Sequence, residues 1–338
     1  MPDTDKKKTW VSFCMSTYKR PEFLKNTLET IAQQSFPDFE VIISDNDPLK
    51  SGEAVVGAMA DERFRYFWNG ENYGMIKSFN KSIERASAEY IVMITDDDPV
   101  YPTMLQTLND LFKKYPGYGM YMGGCDWFCE NSDVAKLYHL KVGTNSCISS
   151  EHNLNHVQVF TPAEFLTNFF TLKIFSHFLW STCMVKRDIL IEKGGVPDYG
   201  SPFLGDYAYM SIISADSGCV IINRALGCQT IHKENFGRNQ NEQIAVVVKN
   251  FPVYLEQRLS HLQEWPQIKE LMFRFVGMWV VSHMSFLYVY VKNVSLKSTE
   301  KEVFKIASMK KYWIKYFLKT RFPVIHDTIV KLKKTGSK

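Results

Sequence analysis

The sequence has no glycine-rich phosphate loop. No Gly-x-Gly-x-x-Gly follows an apolar run, and no Gly-x-x-x-x-Gly-Lys-Ser/Thr occurs anywhere in the 338 residues. Dinucleotide and P-loop chemistries both need glycine backbone close to phosphate, so this weighs against them. Cys-x-x-Cys pairs are also missing. The seven cysteines are scattered and odd in number, which argues against a disulfide framework or a zinc site and for reduced thiols in a cytosolic setting. The first residues, Met1 to Lys8, are charged and carry no apolar core, so no signal peptide is expected. The longest apolar stretch, Phe275 to Val291, contains Gly277, Ser282, His283 and Ser285. It falls short of the ~20 residues of a spanning helix and reads as a buried or membrane-surface helix. A large excess of one charge is missing as well: the formal net charge is only +4, and no nucleic-acid partner is expected.

What is present is apolar and aromatic. With 45% hydrophobic and 14% aromatic residues, the chain can bury a large core, and its length suits one large domain with a smaller appendage. The expected division is a tail over 1–9, a catalytic domain over 10–242 with halves at about 10–125 and 126–242, and a helical region over 243–338. Trp10 to Ser16 reads as a buried strand. Pro21 then suits the first turn of a helix whose apolar face is Phe23, Leu24, Leu28 and Ile31. Phe39 to Ser44 is a second strand, Glu53 to Ala60 a helix, Phe64 to Trp68 a third strand and Ile76 to Ala86 a helix. Tyr90 to Ile94 is a fourth strand. This alternation predicts an α/β fold with a doubly wound, mostly parallel sheet.

The fourth strand ends in Asp96, Asp97 and Asp98. Three adjacent carboxylates repel one another and call for a compensating cation. A hard divalent ion takes one or two carboxylates and completes its shell with phosphate and water. Read alone, the run is equally a solvated loop that caps the following helix. In an open α/β sheet, however, the loops after the strands converge on one crevice. There the acids would meet Thr17, Tyr18 and Arg20 from the first strand and Asp45 and Asp47 from the second. A ring for stacking, carboxylates for ribose and a metal for pyrophosphate together suit a nucleotide diphosphate.

These segments resemble the family 2 glycosyltransferases, inverting enzymes of the GT-A fold. The resemblance rests on Ser16-Thr17-Tyr18-Lys19-Arg20-Pro21, on Val41 to Asp47, on Asn72-Tyr73-Gly74 with Asn80, and on Tyr90 to Asp98, and it covers about Trp10 to His232. It implies that Thr17, Tyr18, Arg20 and Asp45 hold the nucleoside, that Asp96 lies near the ribose, and that Asp97 and Asp98 meet a Mg²⁺ or Mn²⁺ bound to the diphosphate. Thr95 takes one position of the family's Asp-x-Asp motif, which leaves open which acid is the direct ligand. Asp206, at a helix start in Leu204-Gly205-Asp206-Tyr207, matches the family's general base; from its position alone it is a helix cap. His232 would approach the metal, for which imidazole is a suitable ligand, and Arg238 would act as a lid over the diphosphate. His177 and Trp180 are candidates for the acceptor pocket, with core packing the plainer reading for Trp180. The Gln-x-x-Arg-Trp motif of processive synthases is missing, which points to the addition of one or a few sugars.

In the middle of the chain, Gly143 to Val159 reads as a loop. Thr161-Pro162-Ala163-Glu164 is a capping box that starts a helix. Phe175 to Lys186 reads as a strand, Arg187 to Lys193 as a helix, and Cys219 to Ile222 with Ala225 to Ile231 as the last apolar runs of the domain. Beyond Gln243 the pattern is helical over Ile244–Leu262, Ile268–Val291, Glu300–Leu318 and Val324–Leu332, with Pro252, Pro266 and Pro323 as interruptions. Trp279, Phe286, Tyr288, Tyr290, Trp313, Tyr316 and Phe317 make this region aromatic. Lys310, Lys311, Lys315, Lys319, Arg321, Lys331, Lys333, Lys334 and Lys338 make it basic. It reads either as helices packed on the catalytic domain or as a contact with anionic membrane. The expected function is metal-assisted transfer from a nucleotide-diphosphate sugar, UDP first, to a saccharide or lipid-linked saccharide in surface polysaccharide assembly, in the cytoplasm at the inner face of the membrane. Two alternatives stand beside it: a sugar nucleotidyltransferase, which would need a glycine-rich triphosphate loop that Thr17 to Pro21 lacks, and a non-catalytic sugar-binding scaffold.

Overall fold

The computed structural model describes residues 9–148, 155–174, 177–232, 240–291 and 296–323, except for the side chain of Tyr290. Lys6 to Lys8, Arg238, the expected helix Val324–Leu332 and the basic residues Lys331, Lys333, Lys334 and Lys338 lie outside the described residues. The chain divides into two compact units. The first comprises Met1–Leu166, Ile174–Pro197 and Asp206–Lys233; the second comprises Thr167–Lys173, Asp198–Gly205 and Glu234–Lys338.

The first unit is an α/β structure of the GT-A kind. Its strands β1 (Val11–Thr17), β2 (Phe39–Asp45), β3 (Phe64–Trp68) and β4 (Tyr90–Thr95) run parallel in the order β3-β2-β1-β4. Near-continuous apolar runs form β1, β2 and β4 because helices cover both sheet faces, and almost every residue in them is buried. The intervening helices are α1 (Pro21–Ala32), α2 (Glu53–Ala58) and α3 (Met75–Arg85), followed by α4 (Met104–Lys114). Pro21 opens α1 as its spacing predicts, and Leu24, Leu28 and Ile31 sit with Phe13, Val41 and Val92 in one core.

The sheet continues past β4 in a way the apolar pattern does not reveal. Strand β5 (Met120–Cys129) was not legible, since Gly123, Gly124 and Asp126 interrupt its pattern. The segment read as a strand from Phe175 is different in structure. Within the described residues it holds a 3-10 turn, Trp180–Thr182, and then a short strand β8 (Cys183–Lys186) that runs antiparallel between β4 and β5. The Gly143–Val159 segment contains two short strands rather than only loop: β6 (Gly143–Asn145) on β5, and the start of β7 (Val157–Phe160). Strand β9 (Cys219–Ile231) joins the two last apolar runs into one and lies between β5, which it parallels, and antiparallel β7. Helix α5 (Ser132–Tyr138) follows β5, α6 (Pro162–Phe170) opens with the expected capping box, and α7 (Arg187–Glu192) and α8 (Gly205–Ser217) complete this part. In the box the Thr161 N–H donates to Glu164 Oε2 at 3.0 Å while the Glu164 N–H donates to Thr161 Oγ1 at 3.4 Å.

The second unit is helical. Helix α9 (Asn241–Leu259) continues through Pro252, where the sequence predicts an interruption; the proline is buried in the helix, and burial overrides the local penalty. Helix α10 (Trp265–Phe286) has Pro266 in its first turn and passes into a π-helical stretch, Leu287–Val291. By length and composition the Trp265–Val289 helix could cross a membrane, a longer helix than its apolar run suggests, although half of its most apolar window is buried within the protein. Helices α11 (Leu296–Lys305) and α12 (Trp313–Arg321) flank a 3-10 segment, Ala307–Tyr312.

Candidate active site

Register places the first group of residues. Thr17 pairs with Asp45 across β1 and β2, and Ser16 pairs with Thr95 across β1 and β4. Residues 17, 45 and 96 therefore stand in one row at the carboxyl edge of three parallel strands, spaced by the ~4.8 Å between strands.

Asp96 is fully buried. It accepts from Thr17 Oγ1 at 2.8 Å, Arg20 Nη2 pairs with its Oδ1, and its backbone carbonyl accepts from Thr27 Oγ1 at 2.9 Å. Burial pushes its carboxyl up to about 7 against the pull of Arg20. Asp97 is placed differently: its Oδ2 lies 2.7 Å from Arg20 Nη1 and 3.1 Å from His232 Nε2. Burial opposes its ionisation, but the His232 hydrogen bond and the Arg20 charge outweigh it and hold the carboxyl below its ordinary value. Asp98 turns inward. Its Oδ2 accepts from Thr95 Oγ1 at 2.5 Å and Ser181 Oγ at 3.2 Å, and its Oδ1 accepts from the Thr230 N–H at 3.3 Å. Burial, followed by the neighbouring charge of Asp97, raises this carboxyl well above its ordinary value.

Strand β9 supplies Thr230 and is followed directly by His232, and a missing side chain lets it come so close. The segment after the acids pairs with β9: the Cys228 N–H donates to Pro99 O and the Tyr101 N–H to Leu226 O, each at 2.8 Å. A Cβ on Gly227 would stand 2.8 Å from Pro99 O, so only glycine permits this approach. His232 itself is buried against Phe23, with ring centres 4.7 Å apart.

Asp45 is fully buried and fixes its own loop. Oδ1 accepts from the Asp47 N–H at 2.7 Å; Oδ2 accepts from the Gly52 N–H at 3.0 Å and from Tyr66 Oη at 2.9 Å. A side chain on Gly52 would meet that Oδ2 at 2.9 Å. Tyr18, by contrast, is 39% exposed beside this loop, and Lys19 follows it with a left-handed φ of 57°.

Asp206 stands in the first turn of α8, behind Leu204, whose φ of 60° is in the left-handed region. Its carboxylate accepts from the Trp180 N–H, yet Oδ1 is sealed from solvent with no partner, and burial pushes the carboxyl up to about 6. The Trp180–Thr182 turn thus holds Asp206 through one residue and Asp98 through the next. Trp180 itself is core, packed on Phe79 and Tyr209. His177 stacks on Trp127 with centroids 4.7 Å apart and shares a 3.0 Å hydrogen bond with Gln229.

The structure thus gathers Thr17, Arg20, Asp96, Asp97, Asp98 and His232 directly, ties Asp206 to them through one turn, and sets Asp45 and Tyr18 on the adjoining strand ends. Sequence reasoning missed Thr27, Tyr66, Ser181 and Thr230, which hold the acids from distant elements and carry no local signal. Thr95 was visible only as an irregular motif position.

No group of three or more His, Cys, Asp or Glu side chains that could hold a metal occurs among the described residues. The donor set at Asp97 and His232, one carboxylate beside one imidazole, fits a divalent cation that takes its remaining ligands from a bound diphosphate.

The chain is similar in sequence and in fold to known proteins. The model of "Glycosyl transferase family 2" matches residues 12–193. A β-1,3-glucosyltransferase of Campylobacter jejuni acting on GalNAc(5)-diNAcBac-PP-undecaprenol is 31% identical over 119 residues, 34% of this chain and 38% of that one. Poly-β-1,6-N-acetyl-D-glucosamine synthase of Staphylococcus epidermidis is 24% identical over 190 residues, 54% of this chain and 44% of that one. The chain thus matches less than half the length of these relatives. Among solved structures, S. aureus TarS 1-349 in complex with UDP-GlcNAc superposes with a TM-score of 0.60 at 12% identity, covering 92% of this chain and 91% of that one. The mannosyltransferase PcManGT of Pyrobaculum calidifontis, in complex with GDP-Man and Mn²⁺, gives 0.54 at 12% identity, covering 94% and 88%.

Proposed function

The chain belongs to glycosyl transferase family 2, whose model matches more than half of it, and we propose that it is an inverting, metal-assisted transferase of one sugar from a nucleotide-diphosphate donor. The donor is a UDP-sugar, in keeping with the UDP-GlcNAc bound by the TarS structure. The acceptor is a saccharide or lipid-linked saccharide in surface polysaccharide or glycolipid synthesis, worked on at the cytoplasmic face of the membrane; the Campylobacter relative acts on an undecaprenol-linked glycan.

The observation that carries the reading is the sorting of four carboxylates into four environments. Asp97 sits below its ordinary pKa between Arg20 and His232, while Asp96 and Asp98 are consumed by neighbours. Asp206 alone keeps an unpaired, desolvated oxygen. Asp97, with His232, would hold Mn²⁺ or Mg²⁺, and Asp98 braces the loop that presents it. The cation when bound neutralises charge on the departing diphosphate. Asp96, locked by Thr17 and Arg20, underlies the ribose site, and Tyr18 stacks on the base. Asp45 shapes the base pocket through the loop it fixes, and Arg20 balances the acids and faces the phosphates. Asp206, its carboxyl pushed up to about 6 by burial, takes the proton of the attacking acceptor hydroxyl on the face opposite the leaving group, which inverts the anomeric centre.

The test is a donor screen with saccharide acceptors, reading nucleotide release and the anomeric configuration of the product. Transfer with inversion from a UDP-sugar is expected. Retention, or no transfer from any UDP-, GDP-, dTDP- or CMP-sugar, overturns the proposal, and pyrophosphate release from a nucleoside triphosphate would instead identify a nucleotidyltransferase.

A further inference from the structure

The structure divides the aromatics of the C-terminal unit into two sets. Trp279 stacks on His283 and packs on Phe203, and Tyr316 is buried with its hydroxyl on Glu300. These are core. A second set points outward: Trp313 is 48% exposed, Ile314 61%, Phe317 37% and Phe322 47%. They form one ridge. Trp313 stacks on Phe317 with centroids 5.1 Å apart, and Phe317 meets Phe322 at 5.8 Å. Ile314 lies three residues before Phe317, beside it on the helix surface. The exposed apolar area, roughly 300–400 Å², is in the range of the largest patch on an ordinary monomer.

Charge marks what this ridge meets. From Val303 to Pro323 there is no acidic residue, while Lys305, Lys310, Lys311, Lys315, Lys319 and Arg321 all fall within it. Lys310, Lys311 and Arg321 are exposed, and Arg321 reaches across the ring of Tyr288 at 3.9 Å. An apolar ridge with aromatics at its crest and cations at its sides matches a bilayer interface, where rings enter the headgroup boundary and lysines face anionic lipid. With cations and no acids between Val303 and Pro323, the segment matches the single sign of an anionic lipid surface better than the mixed charges of a protein surface.

From these observations we infer that α12, with the preceding Lys310–Lys311 segment and Phe322, is a docking surface for anionic lipid bilayers. It deepens the reading above by stating where the enzyme meets a membrane-held acceptor, but it does not depend on which sugar is transferred.

The test is co-sedimentation of the full chain with phosphatidylcholine vesicles, with and without phosphatidylglycerol, beside W313S/F317S and K310Q/K311Q variants. Wild type is expected to bind only the anionic vesicles and to be released by high salt. W313S/F317S loses that binding, and K310Q/K311Q weakens it roughly tenfold or more. Both variants keep the wild-type circular dichroism and urea-unfolding midpoint, which shows that they are folded whether or not the transferase reading holds. The inference is overturned if wild type ignores the vesicles, or if the variants bind them equally well. Single-stranded RNA binding or self-association lost in the same variants, in place of vesicle binding, also overturns it.

Discussion

Replacing Asp206 by asparagine removes the proton acceptor and, at the same time, a carboxylate held about two pH units above its ordinary 3.8, at about 6, because burial penalises its charge. Activity and stability should therefore move in opposite directions. The loss of a positioned general base costs about 10²–10⁴ in kcat. For stability, the folded state retains a proton that the unfolded chain gives up between pH 4 and 6, so this group lowers stability as pH rises through that window. Its burden is complete above about pH 6 and, at ~1.4 kcal/mol per pH unit, reaches about 3 kcal/mol at most. The buried asparagine amide has its own desolvation cost, so a gain of about 1–2 kcal/mol at pH 8 is the realistic expectation. Urea unfolding of both proteins at a series of pH values measures it. The advantage of D206N should widen by about 1 kcal/mol from pH 5 to pH 8. In parallel, wild-type kcat/KM should fall tenfold per pH unit below about 6. An advantage that does not change with pH, or a D206N variant with more than a tenth of wild-type turnover, would refute the assignment of Asp206.

Two further substitutions probe the scaffold. R20A strips the cation from Asp96 and Asp97 and should destabilise the fold by about 2–4 kcal/mol in urea unfolding, because it strands buried carboxylates; R20K should recover part of that but not the two-pronged geometry. G227V forces a side chain against Pro99 O and should cost about 1–3 kcal/mol. Because it pushes the acid loop away from β9, it should also lower kcat/KM at least tenfold, measured by nucleotide release, while the α9–α12 unit keeps its helical circular dichroism.

The first four strands were readable because each is a continuous apolar run closed by polar or turn residues, a local signal that buried parallel strands share. Their polar ends marked half of the site for the same reason. The rest depends on pairing between distant segments. Strand β5 carries Gly123, Gly124 and Asp126, which no strand propensity favours, and it forms because β8, β9 and β6 pair with it. The Trp180–Thr182 turn, which reads as strand in the sequence, bends where its own Trp180 N–H and Ser181 hydroxyl reach Asp206 and Asp98. His232 was visible only through the family resemblance. Its approach to Asp97 requires the glycine at 227, a contact between segments some 130 residues apart in sequence that no local pattern could disclose.

The central claim is a nucleotide-diphosphate site built on Asp97. Calorimetric titration with UDP, with and without Mn²⁺, on wild type and D97A tests it most directly. The account predicts binding that Mn²⁺ tightens at least tenfold in wild type, an increment of about 1.4 kcal/mol or more, and a D97A protein in which that increment is gone. Failure of UDP, GDP, dTDP and CMP to bind wild type with or without metal, or a D97A variant that keeps the full Mn²⁺ effect, would contradict it.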